Sequence, residues 1–330
     1  MKQRLCAAAL LIAVSLLTML GAHADTTLRL GQVPSTMKSI GAVPYAIAER
    51  EGFFAREQLT VQLVPLEGGT DQMVKRLDAG DVEISSTATP YFIQAVAEGR
   101  SHAVAVAAEN ANPIYSLIAK PEIKSFADLK GRTIGLSLDI DTISISTRKL
   151  LALRGLKESD YHVKNLVGTP VRLECLKRGE CDAVPLGQTE DFTAIDQGFR
   201  RLGLSTDAVK HFEFKLLIVR PDWAKQNRAA LVAFLRGFAA SLKYFRDPVH
   251  RNDVAKTIVA VSGVSDKIAR QTLALYFQPD RGVIPRAGEI DLKGLTQVIA
   301  FMGEVGVLKD PLPKAERFVD STYLRAAEMR

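Results

Sequence analysis

Small polar residues recur at one kind of place in this chain, directly after short apolar runs that read as β-strands. Ser35 and Thr36 follow Leu28–Val33, Gly69 and Thr70 follow Thr60–Pro65, and Ser86 and Thr87 close the run that starts at Glu83. Glu109 and Asn110 follow Ala103–Ala107. Ser137, Asp139 and Thr142 end or follow Thr133–Ser137, and Gly187 and Gln188 follow Ala183–Leu186. In an open α/β sheet, the carboxyl ends of strands and the starts of the next helices form the crevice where ligands bind. Hydroxyls, amides and bare glycine N–H groups around such a crevice suit hydrogen bonding to a small molecule. Taken singly, each Ser, Thr or Asp is as readily a helix N-cap; their shared location gives the set its weight.

Catalytic chemistry finds less support. There is no Gly-x-Ser-x-Gly and no His-Glu-x-x-His. His102, His162, His211 and His250 lie far apart in the chain, so neither a catalytic set nor a metal site is expected, and no cofactor. Cys175 and Cys181 have no histidine near them. At their i, i+6 spacing they either bridge a helix end to the next strand or remain two buried thiols.

The elements that must position the crevice alternate. In Tyr45–Leu59, an amphipathic helix begins near Pro44 and stops at Gly52, Phe53 and Phe54 demand burial, and one further turn leads into the alternating Thr60–Val64. That is a strand-to-strand crossover plugged by aromatic residues. Residues 77–84, LDAGDVEI, and 176–184, LKRGECDAV, share Leu-x-x-Gly, an acid directly after the glycine, a second acid three after it, then an apolar strand. Each follows a helical segment, Thr70–Ala79 or Pro170–Arg178, which suggests duplicated βαβ units. Strands are expected at Tyr115–Ala119 and Phe214–Val219, a helix at Thr142–Arg154, and long amphipathic helices at Arg228–Phe245, Ser265–Tyr276 and Leu292–Val305. The economical topology is an α/β fold of two lobes joined by two extended segments: 25–115 with 216–330, and 116–215.

The start of the chain reads as an export signal. Lys2 and Arg4 precede an apolar stretch from Leu5 to Leu20, and Ala22-His23-Ala24 is a small-x-small cleavage site. The chain is expected to be cut after Ala24 and released into a bacterial periplasm. No later segment offers the roughly 18 apolar residues a spanning helix needs. The net charge of +6 includes Lys2 and Arg4 and is spread without a Lys/Arg block, which argues against nucleic acid as a partner.

With these pieces in place, Ala48 to Leu59 resembles the Ala-x-x-x-Gly-Phe-Phe-x-x-x-Gly-Leu signature of NMT1/THI5-like solute-binding proteins, which serve nitrate, sulfonate, taurine and thiamine-pyrimidine importers. Gln58 stands where that family has its second glycine. Gly68-Gly69-Thr70 with Leu77-x-x-Gly80-Asp81-x-Glu83-Ile84 is similar to the family's second βα unit. Phe126-x-Asp128-Leu129-Lys130-Gly131-x-x-Ile134-Gly135 is similar to its entry into the second lobe, and Gly303-Glu304-Val305-Gly306-Val307-Leu308 to its last helix end. The resemblance implies a two-lobed periplasmic-binding-protein fold, a ligand between the lobes, an ABC-type permease as partner, a monomer, and no enzymatic activity. It also makes Phe53 and Phe54 structural.

The family often places a Gly/Ser-rich run before the second-lobe helix, whose bare N–H groups hold an anion. Here the run is Ser137-Leu138-Asp139-Ile140-Asp141-Thr142. Asp141 is placed to cap the helix, and Asp139 with Glu109 would make the cleft acidic, disfavouring nitrate or a simple sulfonate. A neutral or amine-bearing solute is then expected, a heteroaromatic one gripped by Tyr45 or Tyr91 among them. Two rivals remain: a periplasmic sensor subunit using the same cleft, and a secreted enzyme. A thiamine-pyrimidine synthase shares the fold, but its Cys-rich motif is absent here.

Overall fold

The computed structural model describes residues 26–278 and 282–329; the export signal and its cleavage site lie outside the described residues. Among the described residues ten strands alternate with helices: β1 (Thr26–Gln32), β2 (Leu59–Pro65), β3 (Ile84–Ala88), β4 (Val104–Asn110), β5 (Ser116–Ala119), β6 (Thr133–Leu136), β7 (His162–Asn165), β8 (Ala183–Leu186), β9 (Arg200–Leu204) and β10 (Lys215–Val219). They form two five-stranded sheets, ordered β2-β1-β3-β10-β4 and β7-β6-β8-β5-β9. In each sheet the first three strands run parallel, and the fourth pairs antiparallel with both its neighbours. That fourth strand comes from the other end of the chain's excursion: β5 enters the second sheet just as the chain leaves the first, and β10 returns.

The two copies of Leu-x-x-Gly-acid occupy equivalent places. Gly80 (φ +82°) ends the helix Thr70–Asp78 before β3, and Gly179 (φ +75°) ends Thr169–Lys177 before β8. Both glycines take a left-handed conformation that other residues enter at a cost. The second acid does the same work twice. Glu83 accepts from the main-chain N–H of Arg29 in β1 at 2.8 Å, and Asp182 accepts from that of Thr133 in β6 at 2.9 Å. Each carboxylate thus secures the strand beside its own, with Arg29 or Lys120 as counter-ion. The repeated sequence marks a repeated device for registering parallel strands.

Phe53 and Phe54 are packing residues. Phe54 stacks on Phe234 with centroids 5.6 Å apart, and Phe53 meets Tyr244 edge-on at 6.1 Å, both on the 19-residue helix Arg228–Arg246. Gly237 of that helix lets the ring in, since a Cβ there would stand 2.7 Å from Phe54 Cδ1. Gln58, at φ +55°, occupies the left-handed position for which glycine is suited. Leu295, Val298, Ile299 and Met302 of the helix Leu292–Glu304 share one apolar cluster with Leu216 and Ile218 of β10. Cys175 and Cys181 form a disulfide, with Cα atoms 5.3 Å apart, fastening the end of the Thr169–Lys177 helix to the start of β8.

Two strands have no counterpart in the sequence reading. β7 is exposed at every residue, and β9 is Arg-Arg-Leu-Gly-Leu at the far edge. Neither shows the apolar run or alternation that burial imposes on a central strand.

Candidate ligand-binding site

The carboxyl ends of the parallel strands in both sheets, and the starts of antiparallel β5 and β10, converge on one cavity of about 120 Å³. Loops after β1 supply Val33, Ser35 and Thr36; the loop after β2 supplies Thr70; β4 ends at Asn110. From the other sheet come Ser137 and Asp141 after β6, Val167 to Thr169 after β7, and Gly187, Gln188 and Glu190 after β8. Tyr115 and Phe214, just before β5 and β10, meet edge-to-face at 5.8 Å and wall the crossing point with Tyr276.

Of the residues singled out in the sequence, Ser35, Thr36, Thr70, Asn110, Ser137, Gly187 and Gln188 line this cavity. Others stand close behind it. Thr87 donates to the carbonyl of Thr70 at 3.1 Å. Gly69 lies where the sheets' loops meet, such that a Cβ there would come within 3.4 Å of Leu138 and of Val167. Thr142 begins the helix Thr142–Leu153, wholly buried, its Oγ1 without a hydrogen-bond partner.

Glu109, Tyr45 and Ser86 face inward to one another. Glu109 is fully buried, and its Oε1 accepts from Gln32 Nε2 at 3.0 Å and from Tyr45 Oη at 2.7 Å. Oε2 accepts from Ser86 Oγ at 2.5 Å and pairs with Lys215 Nζ at 2.8 Å. Four elements of the first sheet are thereby tied behind the cavity, and the negative charge is neutralised by Lys215, which itself lines the cavity. Burial and the neighbouring carboxylate push the Tyr45 hydroxyl's pKa well up, so it stays a donor. The Tyr45 ring stacks on Phe238 with centroids 5.4 Å apart, and neither Tyr45 nor Tyr91 is among the residues lining this cavity.

Asp139, expected in the cleft, lies outside it; the carboxylates that line the cavity are those of Asp141 and Glu190. The Asp139 side chain is 69% exposed, pairs with Arg148 at 3.3 Å, accepts from Asn165 Nδ2 at 3.3 Å, and takes no part in lining the cavity. Arg148, nine residues along the chain, holds it there, its Nη1 also donating to the Asp139 carbonyl at 2.9 Å. Asp141 does cap its helix: Oδ1 accepts from Ile143 N at 3.1 Å, and Oδ2 from Ser137 Oγ at 2.9 Å with Thr70 Oγ1 at 3.5 Å. Burial raises its pKa, with these hydrogen bonds opposing the rise.

Several lining residues escaped the sequence reading: Arg172, Lys215, Glu190 and the aromatic trio. Arg172 left a signal, because it shares the buried face of its helix with Leu173, Cys175 and Leu176. Lys215 opens a strand that is otherwise Leu-Leu-Ile-Val. A charge on an apolar stripe is the pattern that points to a site. Among the described residues no group of three His, Cys, Asp or Glu side chains is arranged to hold a metal, and no helix is long and apolar enough to cross a membrane.

Two sheets of matching strand order enclosing one cavity at their crossing point define the class: a two-lobed α/β protein of the periplasmic-binding-protein fold. The NMT1/THI5-like family model matches residues 40–249, and the chain belongs to that family. Solved structures agree on the fold. The nitrate-binding protein NrtA from Synechocystis PCC 6803 superposes with a TM-score of 0.77 at 15% identity, covering 92% of this chain and 88% of that one. The alkanesulfonate-binding protein SsuA from Xanthomonas axonopodis pv. citri, bound to MOPS, gives 0.69 at 17% identity over 90% and 99%. A putative thiamine biosynthesis protein from Haemophilus influenzae is 33% identical over 95 residues, which span 28% of this chain and 29% of the relative.

Proposed function

We propose that the chain is a periplasmic solute-binding protein: released by cleavage after Ala24, it captures a small organic solute between lobes 25–115 plus 216–330 and 116–215, and delivers it as a monomer to an ABC-type permease. The observation that carries this reading is the shared cavity. Residues from both sheets line it, so a solute contacts both lobes at once, and its binding free energy favours the closed arrangement over an open one. Its polar lining of hydroxyls, amides and paired charges suits a hydrogen-bonding solute of modest size.

The rival of an enzyme is motivated by the name of the Haemophilus influenzae relative. Against it stands the cavity's chemistry. Among the described residues no histidine lines it, and Cys175 and Cys181 are bonded to each other. The hydroxyl–carboxylate pair in its lining, Ser137 with Asp141, is engaged in capping the Thr142–Leu153 helix through Ile143 N. A thermal-shift screen of small anionic, zwitterionic and heteroaromatic metabolites, followed by calorimetry and mass analysis of the recovered compound, separates the two. Reversible 1:1 binding with the compound recovered unchanged supports capture; time-dependent conversion refutes it.

A further inference from the structure

A second cavity, of about 310 Å³, lies outside the crevice between the sheets and shares no lining residue with it. One wall is a face of the helix Val43–Arg50. Ala42, Tyr45, Ala46 and Glu49 follow the i, i+3, i+4, i+7 spacing that brings side chains to one side of a helix. The other wall is β2, the edge strand of the first sheet, whose Leu59, Val61 and Leu63 alternate onto one face. Met37, Phe54 and Val261, the last from the helix Arg251–Ser262, help to complete the lining. The gap has a local cause. Large side chains fill the interval where a helix packs on a strand. Here the helix presents two alanines, Ala42 and Ala46, and Val61 and Leu63 stay only half-buried.

The lining is apolar apart from two exposed side chains, Thr60 and Glu49, and the Tyr45 hydroxyl. That hydroxyl is spent on Glu109 at 2.7 Å, so Tyr45 contributes ring to the groove. Glu49 carries the one charge of the lining. It forms no ion pair among the described residues, and the adjacent Arg50 is already engaged by Glu51 and Thr257. Water finds few partners on such walls, so an apolar body displaces it favourably. An apolar cavity of about 150 Å³ takes up benzene, and the larger volume here suits a fused bicyclic ring.

We propose that this groove is a second ligand site, for an organic ammonium compound. Its apolar body, of fused-bicyclic size, fills the space between helix and edge strand, and its cation meets Glu49. Every lining residue belongs to an element packed on the first sheet, so occupancy requires no contact with the second.

Tryptamine and indole-3-acetate, which carry one ring system with opposite charges, are the probes, titrated at neutral pH and fixed ionic strength by methyl NMR. The net charge of the chain is positive and by itself favours the anion. A preference for the cation therefore isolates Glu49. Tryptamine should bind as one equivalent, with shifts concentrated at Ala46, Val61, Leu63 and Val261. It should bind about 5-fold tighter than indole-3-acetate, the upper range for one exposed ion pair. Glu49→Gln should bring the two affinities together, and Glu49→Lys should invert their order. Ala46→Phe occupies the groove and should weaken both probes by roughly 10-fold or more. If that variant does not fold, the inversion in Glu49→Lys carries the test, because Glu49 is exposed. Shifts centred on Ile143 and Val167 of the inter-sheet cavity overturn the proposal, as does a probe ratio unchanged by Glu49→Lys. Groove shifts that follow protein concentration, with a dimer in sedimentation, identify a second copy on the β2 edge and also overturn it.

Discussion

Replacing Asp141 in two ways separates its geometry from its charge. The carboxylate is 4% exposed, caps the Thr142–Leu153 helix through Ile143 N, and accepts from Ser137 Oγ. Asp141→Ala removes a cap worth roughly 1 kcal/mol and orphans a buried hydroxyl at roughly 1–3 kcal/mol, offset by relief from burying a charge. The net expectation is a loss of about 2 kcal/mol, or roughly 4 °C in melting temperature. Asp141→Asn keeps the shape and the capping oxygen, and Ser137 can turn its hydroxyl to accept from the new amide. Burial raises the folded pKa of Asp141 above its unfolded value of about 3.9. The folded protein therefore holds that proton where the unfolded chain has released it. The associated stability is fully present below the unfolded pKa and is lost as pH rises through the folded one. At pH 7 Asp141→Asn should be at least as stable as the native chain, and the difference should vanish near pH 4. Urea unfolding of the solute-free protein at both pH values measures this. If Asp141→Asn falls with Asp141→Ala at pH 7, desolvation does not govern the site and the reasoning fails.

The buried Lys215–Glu109 pair should resist dismemberment. Lys215→Met leaves Glu109 unpaired and should cost about 3–5 kcal/mol, whereas adding Glu109→Gln should recover part of it; an additive double mutant, read by denaturation, contradicts the coupling. Gln58→Gly relieves a left-handed non-glycine and should stabilise by about 1 kcal/mol, with no change in melting temperature counting against it. Reduction of Cys175–Cys181, or Cys175→Ala with Cys181→Ala, should cost about 2 kcal/mol from the short loop it closes; equal melting curves with and without reductant would refute that.

How far the sequence speaks depends on whether burial imposes a pattern. Gly80 and Gly179 with their trailing acids were legible, because left-handed helix ends and strand starts use few residue types, and the structure adds what Glu83 and Asp182 do there. Strands β7 and β9 were not legible, being edges with little to bury. Within the site, position after a strand end pointed to Ser35, Thr70, Gly187 and their neighbours. The direction of a side chain was beyond that rule: Glu109 and Tyr45 satisfy each other behind the cavity, and Asp139 turns out to Arg148. Long-range pairing decides such cases, and Arg148, Lys215 and Arg172 are partners that only the fold brings near.

The most direct measurement introduces bulk at Gly187. A Cβ there already stands 3.3 Å from Tyr115 Cε1 and 3.6 Å from Thr169 Oγ1, at an ordinary backbone conformation, so a leucine must project into the cavity. Calorimetry of native protein and Gly187→Leu with a solute found in the screen, alongside melting of the empty proteins, puts the site to the test. Native protein should bind one equivalent, and Gly187→Leu should lose at least 100-fold in affinity while keeping nearly the native melting temperature. Undiminished binding in a folded Gly187→Leu would place the solute elsewhere and contradict the account.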